Sequence, residues 1–124
     1  MKKDSTKEKG REGERLAALF LEKQGFRILD RNYRNRLGEI DIVAEDRGVL
    51  VFVEVRTLQN SAGHGPEETI QWKKRQRLSR TALAYVQHKR MEDRPARFDV
   101  VAVAFAGDRS TLRHIPDAFE ICEA

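Results

Sequence analysis

Two carboxylates set in apolar runs are the residues of this sequence best placed to do chemistry. Asp41 lies in the alternating stretch Gly38-Glu39-Ile40-Asp41-Ile42-Val43-Ala44, and Glu54 interrupts the otherwise apolar stretch from Val49 to Val55. A carboxylate in a buried strand is costly unless something positive meets it. Asp46-Arg47-Gly48 between the two stretches is a turn signal, so they predict a hairpin. If the turn leaves two or four residues unpaired, Asp41 stands directly opposite Glu54 on the same face. Opposed residues hold their Cβ atoms roughly 4.5–5.5 Å apart, where like charges repel. A divalent cation would relieve that repulsion, and two carboxylates plus waters suit Mg²⁺. The same register puts Glu39 opposite Arg56, so a structural salt-bridge cluster accounts for the spacing as well. A turn of odd length would separate Asp41 from Glu54 and dissolve the pair.

Two further residues are out of place on helical wheels. Glu14 falls roughly 20° from Leu21, at the edge of the apolar arc of a first helix. It either leans over the sheet toward the carboxylates or serves as an early-helix acid favoured by the dipole. Lys74 falls roughly 40° from Leu78 and 20° from Tyr85, on the apolar side of a second helix. Its ammonium either reaches the carboxylates or snorkels along the core edge. Lys73, Arg75, Arg77 and Arg80 make the remainder of that helix basic, a face suited to a phosphate backbone or simply to water. His64, His88 and His114 have no zinc spacing, and no GxxxxGK phosphate loop occurs.

The elements that must hold these residues follow from periodicity. Residues 11–24 predict a helix with Ala17, Phe20 and Leu21 inward and Arg15, Glu22 and Lys23 outward, stopped by Gly25. Strands are expected at 26–33, 37–45 and 49–57, with Ile40, Ile42 and Ala44 sharing one face of the second. The third is apolar on both faces at first, as a central strand covered on two sides should be. Gln59 to Gly65 has loop composition, with Pro66 opening a helix to about Arg90. A buried strand at 97–105 and a short one at 111–115 follow across the Ala106-Gly107-Asp108 turn. This order predicts an α/β fold, a mixed central sheet flanked by helices.

At 124 residues the chain fits one domain, expected at 11–124 behind a polar leader, 1–10. No apolar run approaches the ~20 residues of a membrane span, and no signal peptide opens the chain. Cys122 is the only cysteine, which excludes an intrachain disulfide and a cysteine zinc site and makes a reducing cytoplasm the expected location. With 24 Lys+Arg against 20 Asp+Glu the net charge is +4, compatible with a polyanionic partner without requiring one.

Gly38 to Ala44 followed by Val51-Phe52-Val53-Glu54-Val55-Arg56-Thr57 resembles the UPF0102 (YraN-like) bacterial family. That family is similar to archaeal Holliday junction resolvases and to the PD-(D/E)xK restriction-endonuclease-like superfamily. The likeness runs from about Gly10 to Val103 and takes in Gly13-Glu14, Asn32-Tyr33-Arg34, Lys74 with Leu78, and Arg97-Phe98-Asp99. It implies a restriction-endonuclease-like αβββαβ core and a Mg²⁺-dependent DNA endonuclease, Mn²⁺ being an alternative ion. Asp41 and Glu54 would hold the metal, assisted by Glu14. Lys73, Arg75, Arg77 and Arg34 are the expected DNA contacts, branched DNA the implied substrate and a homodimer the implied assembly. The departure is Arg56, where the superfamily pattern has lysine. Arginine stabilises charge on phosphate but does not deprotonate; if a neutral amine is required, Lys74 is the candidate substitute. The alternatives are a catalytically inactive nucleic-acid-binding module on this fold and a protein-binding adaptor.

Overall fold

The computed structural model describes residues 2–59 and 70–120. Helix α1 (Lys2–Lys23) precedes strands β1 (Arg27–Asn35), β2 (Gly38–Asp46) and β3 (Val49–Gln59). Helix α2 (Trp72–His88) leads to β4 (Ala96–Ala106) and β5 (Arg109–Phe119). The strands lie side by side in chain order; β3 and β4 are parallel and every other neighbour is antiparallel. This is the expected αβββαβ core in a mixed sheet with one further strand. No helix among the described residues is long and apolar enough to cross a membrane.

The sheet carries a core on each face. Under α1, Ala17 and Leu21 bury against Ile42, Ala44, Val51, Val53, Val101 and Val103. Under α2, Leu78, Ala82 and Tyr85 bury against Ile40, Val43, Phe52, Phe98 and Val100. Both apolar arcs are as periodicity predicts, and β3 is covered on both sides. Gly25 ends α1 at φ +97°, donating to the Glu22 carbonyl while Phe26 donates to Leu21, so the last turn's carbonyls are satisfied.

The hairpin between β2 and β3 is closed by Arg47 and Gly48 alone, because Asp46 pairs with Val49. Both residues have positive φ, +52° and +85°, the twist that suits a two-residue hairpin. The register is therefore the one expected, and the ladder runs to Ile42 opposite Val53.

Several boundaries differ from the sequence expectation. α1 begins at Lys2 rather than near residue 11, since the Lys- and Glu-rich stretch has high intrinsic helix propensity. α2 begins at Trp72 rather than Pro66, because Gln71 is extended and Ile70 is drawn into the core at 2% exposure. Residues 60–69, with His64, Pro66, Glu67 and Glu68, lie outside the described residues, as does Cys122. β5 runs to Phe119, well past 115, because an edge strand tolerates Pro116 and Phe119 stacks on Phe98.

The alternation of β2 also departs from expectation. Ile40 joins the core under α2, whereas Ile42 and Ala44 join the core under α1. Positions two apart in a regular strand share a face. The change of face falls at Asp41, and across from it on β1 stands Asn32, left-handed at φ +53°.

Gly13 lets α1 approach β3: a Cβ there would lie 2.6 Å from Thr57 Oγ1, the side chain of a stiff β-branched residue. Gly10, three residues earlier, has open space. Opposite signs are expected in urea unfolding. Gly13→Ala should lose about 1–3 kcal/mol by overpacking, while Gly10→Ala should gain roughly 0.5–1 kcal/mol from helix propensity. Equal effects would show that α1 does not rest on β3 through Gly13.

Candidate functional site

Beyond Ile42 and Val53 the β2–β3 ladder gives way to a side chain. The amide of Val55 donates to Asp41 Oδ2 at 2.8 Å, so the Asp41 carboxylate accepts a hydrogen bond from the strand that Glu54 occupies. Glu54 is buried at 6% exposure, and its carboxyl comes within hydrogen-bonding reach of Asp41. Lys74, in the first turn of α2, places its ammonium on Glu54 Oε2. The reach suggested by its wheel position is therefore realised, with the lysine side chain still 40% exposed.

These residues line a cleft of about 260 Å³ together with Gly38, Glu39, Arg77, Leu78 and Thr81. The spacing of the motifs did not signal Gly38 or Thr81. A Cβ at Gly38 would stand 2.8 Å from Thr81 Oγ1, so the glycine that opens β2 lets the helix close on the strand. Thr81 is fully buried and donates to the Arg77 carbonyl at 2.8 Å. The only trace of this contact in sequence is the glycine at the head of the acidic strand.

Burial pushes the Asp41 carboxyl up to about 8, with the charge of Glu54 as the next cause; the Val55 amide works against both. Glu14 on α1 is raised too, first by burial and then by Glu39, while Arg31 and an Asn32 hydrogen bond oppose the shift. Asp99 is fully buried yet lowered. Burial pushes it up, but His114 at 2.7 Å, Arg97 at 2.9 Å and the Asp117 amide at 3.0 Å outweigh that. The contrast separates a carboxylate built into the fold from one left short of positive charge.

The other candidates divide between the cleft and its surroundings. Glu14 is electrostatically coupled to Asp41, although no group of three or more His, Cys, Asp or Glu side chains is placed for a metal among the described residues. Arg56 follows Glu54 by two positions and by strand alternation faces the same side. Its expected partner Glu39 is instead bound by Arg34 of β1 at 2.9 Å. The reason is the ladder: at its start β2 pairs with β1, where Arg34 is the residue opposite Glu39. Arg34 is thus engaged in an ion pair. Lys73 and Arg77 line a second hollow of about 280 Å³ with Gln71 and Lys74. Arg75 turns elsewhere, donating to the Ile70 carbonyl at 3.1 Å and lying over the Phe119 ring.

What this arrangement can do follows from its donors. Asp41 and Glu54 supply hard oxygen ligands whose charges are only partly met, a set that fits Mg²⁺ with water completing the shell. Lys74 and Arg77 supply donors for phosphate oxygens at the rim.

Comparison with known sequences agrees over most of the chain. The family described as "Uncharacterised protein family UPF0102" matches residues 13–103. A UPF0102 protein of Trichlorobacter lovleyi is 46% identical over 111 residues, covering 88% of this chain and 87% of the relative. One from Anaeromyxobacter dehalogenans is 48% identical over 111 residues, covering 90% and 83%. One from Geobacter metallireducens is 45% identical over 114 residues, covering 90% and 92%. The names of these relatives give the family and no activity.

The Asp41 shift has a measurable consequence. In the unfolded chain an aspartate ionises near 3.8, whereas folded Asp41 holds its proton to about 8. Between those values the folded state binds the extra proton, so ionising Asp41 removes stability as pH rises from about 4 to 8. Asp41→Asn keeps an acceptor for Val55 and cannot ionise. With chelator present, its stability relative to the native sequence should climb through that window and level off above it. A pH-independent difference in urea unfolding would rule out the raised Asp41.

Proposed function

This chain belongs to the UPF0102 family, and from that premise and its acidic cleft we propose that it is a metal-dependent endonuclease acting on DNA, with branched DNA as substrate. The observation that carries the reading is the convergence of Asp41, Glu54 and Lys74 in one cleft bordered by Arg77. Asp41 and Glu54 are the residues that would hold Mg²⁺ or Mn²⁺, with Glu14 near enough to act on them electrostatically. The ion would supply Lewis acidity toward a phosphodiester and a more acidic water.

The chain's own contribution is orientation and charge. Burial around the carboxylates strengthens every interaction there by keeping bulk water away. Lys74 stands on Glu54 and is the amine available beside a phosphate oxygen. Arg56 is permanently charged and stabilises negative charge without serving as a base. Lys73 and Arg77 extend the basic rim along α2 for the strand backbone. A homodimer would suit a substrate with two symmetric strands.

Arg56 in the place of the motif lysine favours a second reading, a nucleic-acid-binding protein without cleavage. The two readings part in one experiment. Mg²⁺ and Mn²⁺ are titrated calorimetrically into the native protein and into an Asp41→Asn, Glu54→Gln variant, with and without DNA, and both proteins are assayed on branched and linear DNA. Under the nuclease reading, metal binding and cleavage are present and both are lost in the variant, while DNA binding persists. DNA binding with no metal uptake and no cleavage in either protein would sink the nuclease and leave the binding module. A Lys74→Ala change should lower cleavage by roughly 10²-fold or more if its ammonium supports the developing charge, and leave it unchanged if the ion pair is structural.

A further inference from the structure

We propose that the hollow between α1 and β1, lined by Arg11, Glu14, Arg15, Arg31 and Asn32, is a phosphodiester-binding subsite. It would grip the nucleic-acid strand on the side of the carboxylates away from α2. This rests on the nuclease reading for its position along the strand, but not for its chemistry. The hollow measures about 460 Å³ and opens to solvent.

Charge is the first argument. Arg15 is committed to Glu12 through two hydrogen bonds, at 2.8 and 2.7 Å. Arg11 and Arg31 are exposed and have no ion pair of their own among the described residues, leaving two guanidiniums beside the single carboxylate of Glu14. Guanidinium forks match phosphate oxygens in geometry and are weakly hydrated, so they suit this ligand better than ammonium groups do.

Position is the second. Glu14 lies in the fields of Glu39 and Glu54, and Asp41 in the field of Glu14, so the hollow adjoins the acidic cleft. Lys73, Lys74 and Arg77 stand on the α2 side of those carboxylates. Arg11 and Arg31 stand on the α1 side. A strand laid across Asp41 and Glu54 therefore meets cations at its phosphates in both directions.

Local backbone geometry is the third. The left-handed Asn32 stands across from Asp41, and the break in alternation there lets consecutive residues Arg31 and Asn32 line the same hollow. In a regular strand one of them would face the opposite side of the sheet. Arg31 and Asn32 thus both bring donors to the hollow.

The test uses a short fluorescein-labelled DNA duplex, fluorescence anisotropy, a KCl series and chelator throughout. The proteins are the native chain, an Arg11→Gln, Arg31→Gln variant and an Arg109→Gln, Arg113→Gln variant of equal charge on β5, at the far edge of the sheet. Each phosphate contact contributes about 0.9 to the slope of log affinity against log salt. The Arg11/Arg31 variant should lose about 1.8 from that slope, and the β5 variant should keep the native slope. Equal slopes in the two variants would overturn the subsite and leave the acidic cleft untouched. Absence of DNA binding by the native chain would overturn both. Inorganic phosphate, added at constant ionic strength, should displace duplex no better from the native chain than from the Arg11/Arg31 variant; selective displacement from the native chain would mean a pocket for free phosphate, against the strand assignment.

Discussion

Two carboxylates side by side in an apolar sheet have to be neutralised, and the arrangement around Asp41 and Glu54 follows from that requirement. The fold supplies one proton's worth of relief by raising Asp41 to about 8, and one cation by bringing Lys74 onto Glu54. Lys74 is partly exposed and the Asp41 proton is given up as pH rises, so the two meet the charge of the pair only in part. Under the nuclease reading a divalent ion would replace both. Asp99 marks the other solution to the same problem, with Arg97, His114 and a backbone amide already in place. Its partners leave no comparable demand for an outside ligand.

Each layer of the structure contributes to that centre. The two-residue turn at Arg47 and Gly48 fixes which residues of β2 and β3 face one another. The departure from pairing after Ile42 and Val53 frees the Asp41 carboxylate to take the Val55 amide. Gly38 and Gly13 let α2 and α1 come down onto the strands. Without those close approaches, Lys74 and Glu14 would stand further from the acidic pair.

Much of this was legible in the residues because it depends on short-range rules. The turn at Asp46-Arg47-Gly48 signals the hairpin, whose register follows once the turn is known to hold two residues. A helical wheel places Lys74 on the apolar side of α2, where reaching the carboxylates is one of its two options. Other features are tertiary and leave little trace. Ile40 lies on the α2 side next to the point where β2 faces the left-handed Asn32 of a different strand, a break that period-two patterning does not reveal. Glu39 pairs with Arg34 rather than Arg56 because β1, not β3, lies against the start of β2. Arg75 has the composition of a phosphate contact, but the Phe119 ring beneath it is visible only once β5 is known to run that far. The likeness to UPF0102 was carried by the hairpin motifs, and the family match spans those residues.

The two outermost strands bear on how copies of this chain can assemble. An exposed edge is an invitation to strand addition unless it is made irregular. β1 shifts register between Ile28 and Asp30, carries the left-handed Asn32 and displays Arg27, Arg31 and Arg34. β5 contains Pro116, shifts register opposite Phe98 and Val100, and turns left-handed at Asp117. Those stretches of each margin depart from a regular template. Strand addition from another copy is disfavoured where those irregularities fall, and they act there as a guard against edge-to-edge aggregation.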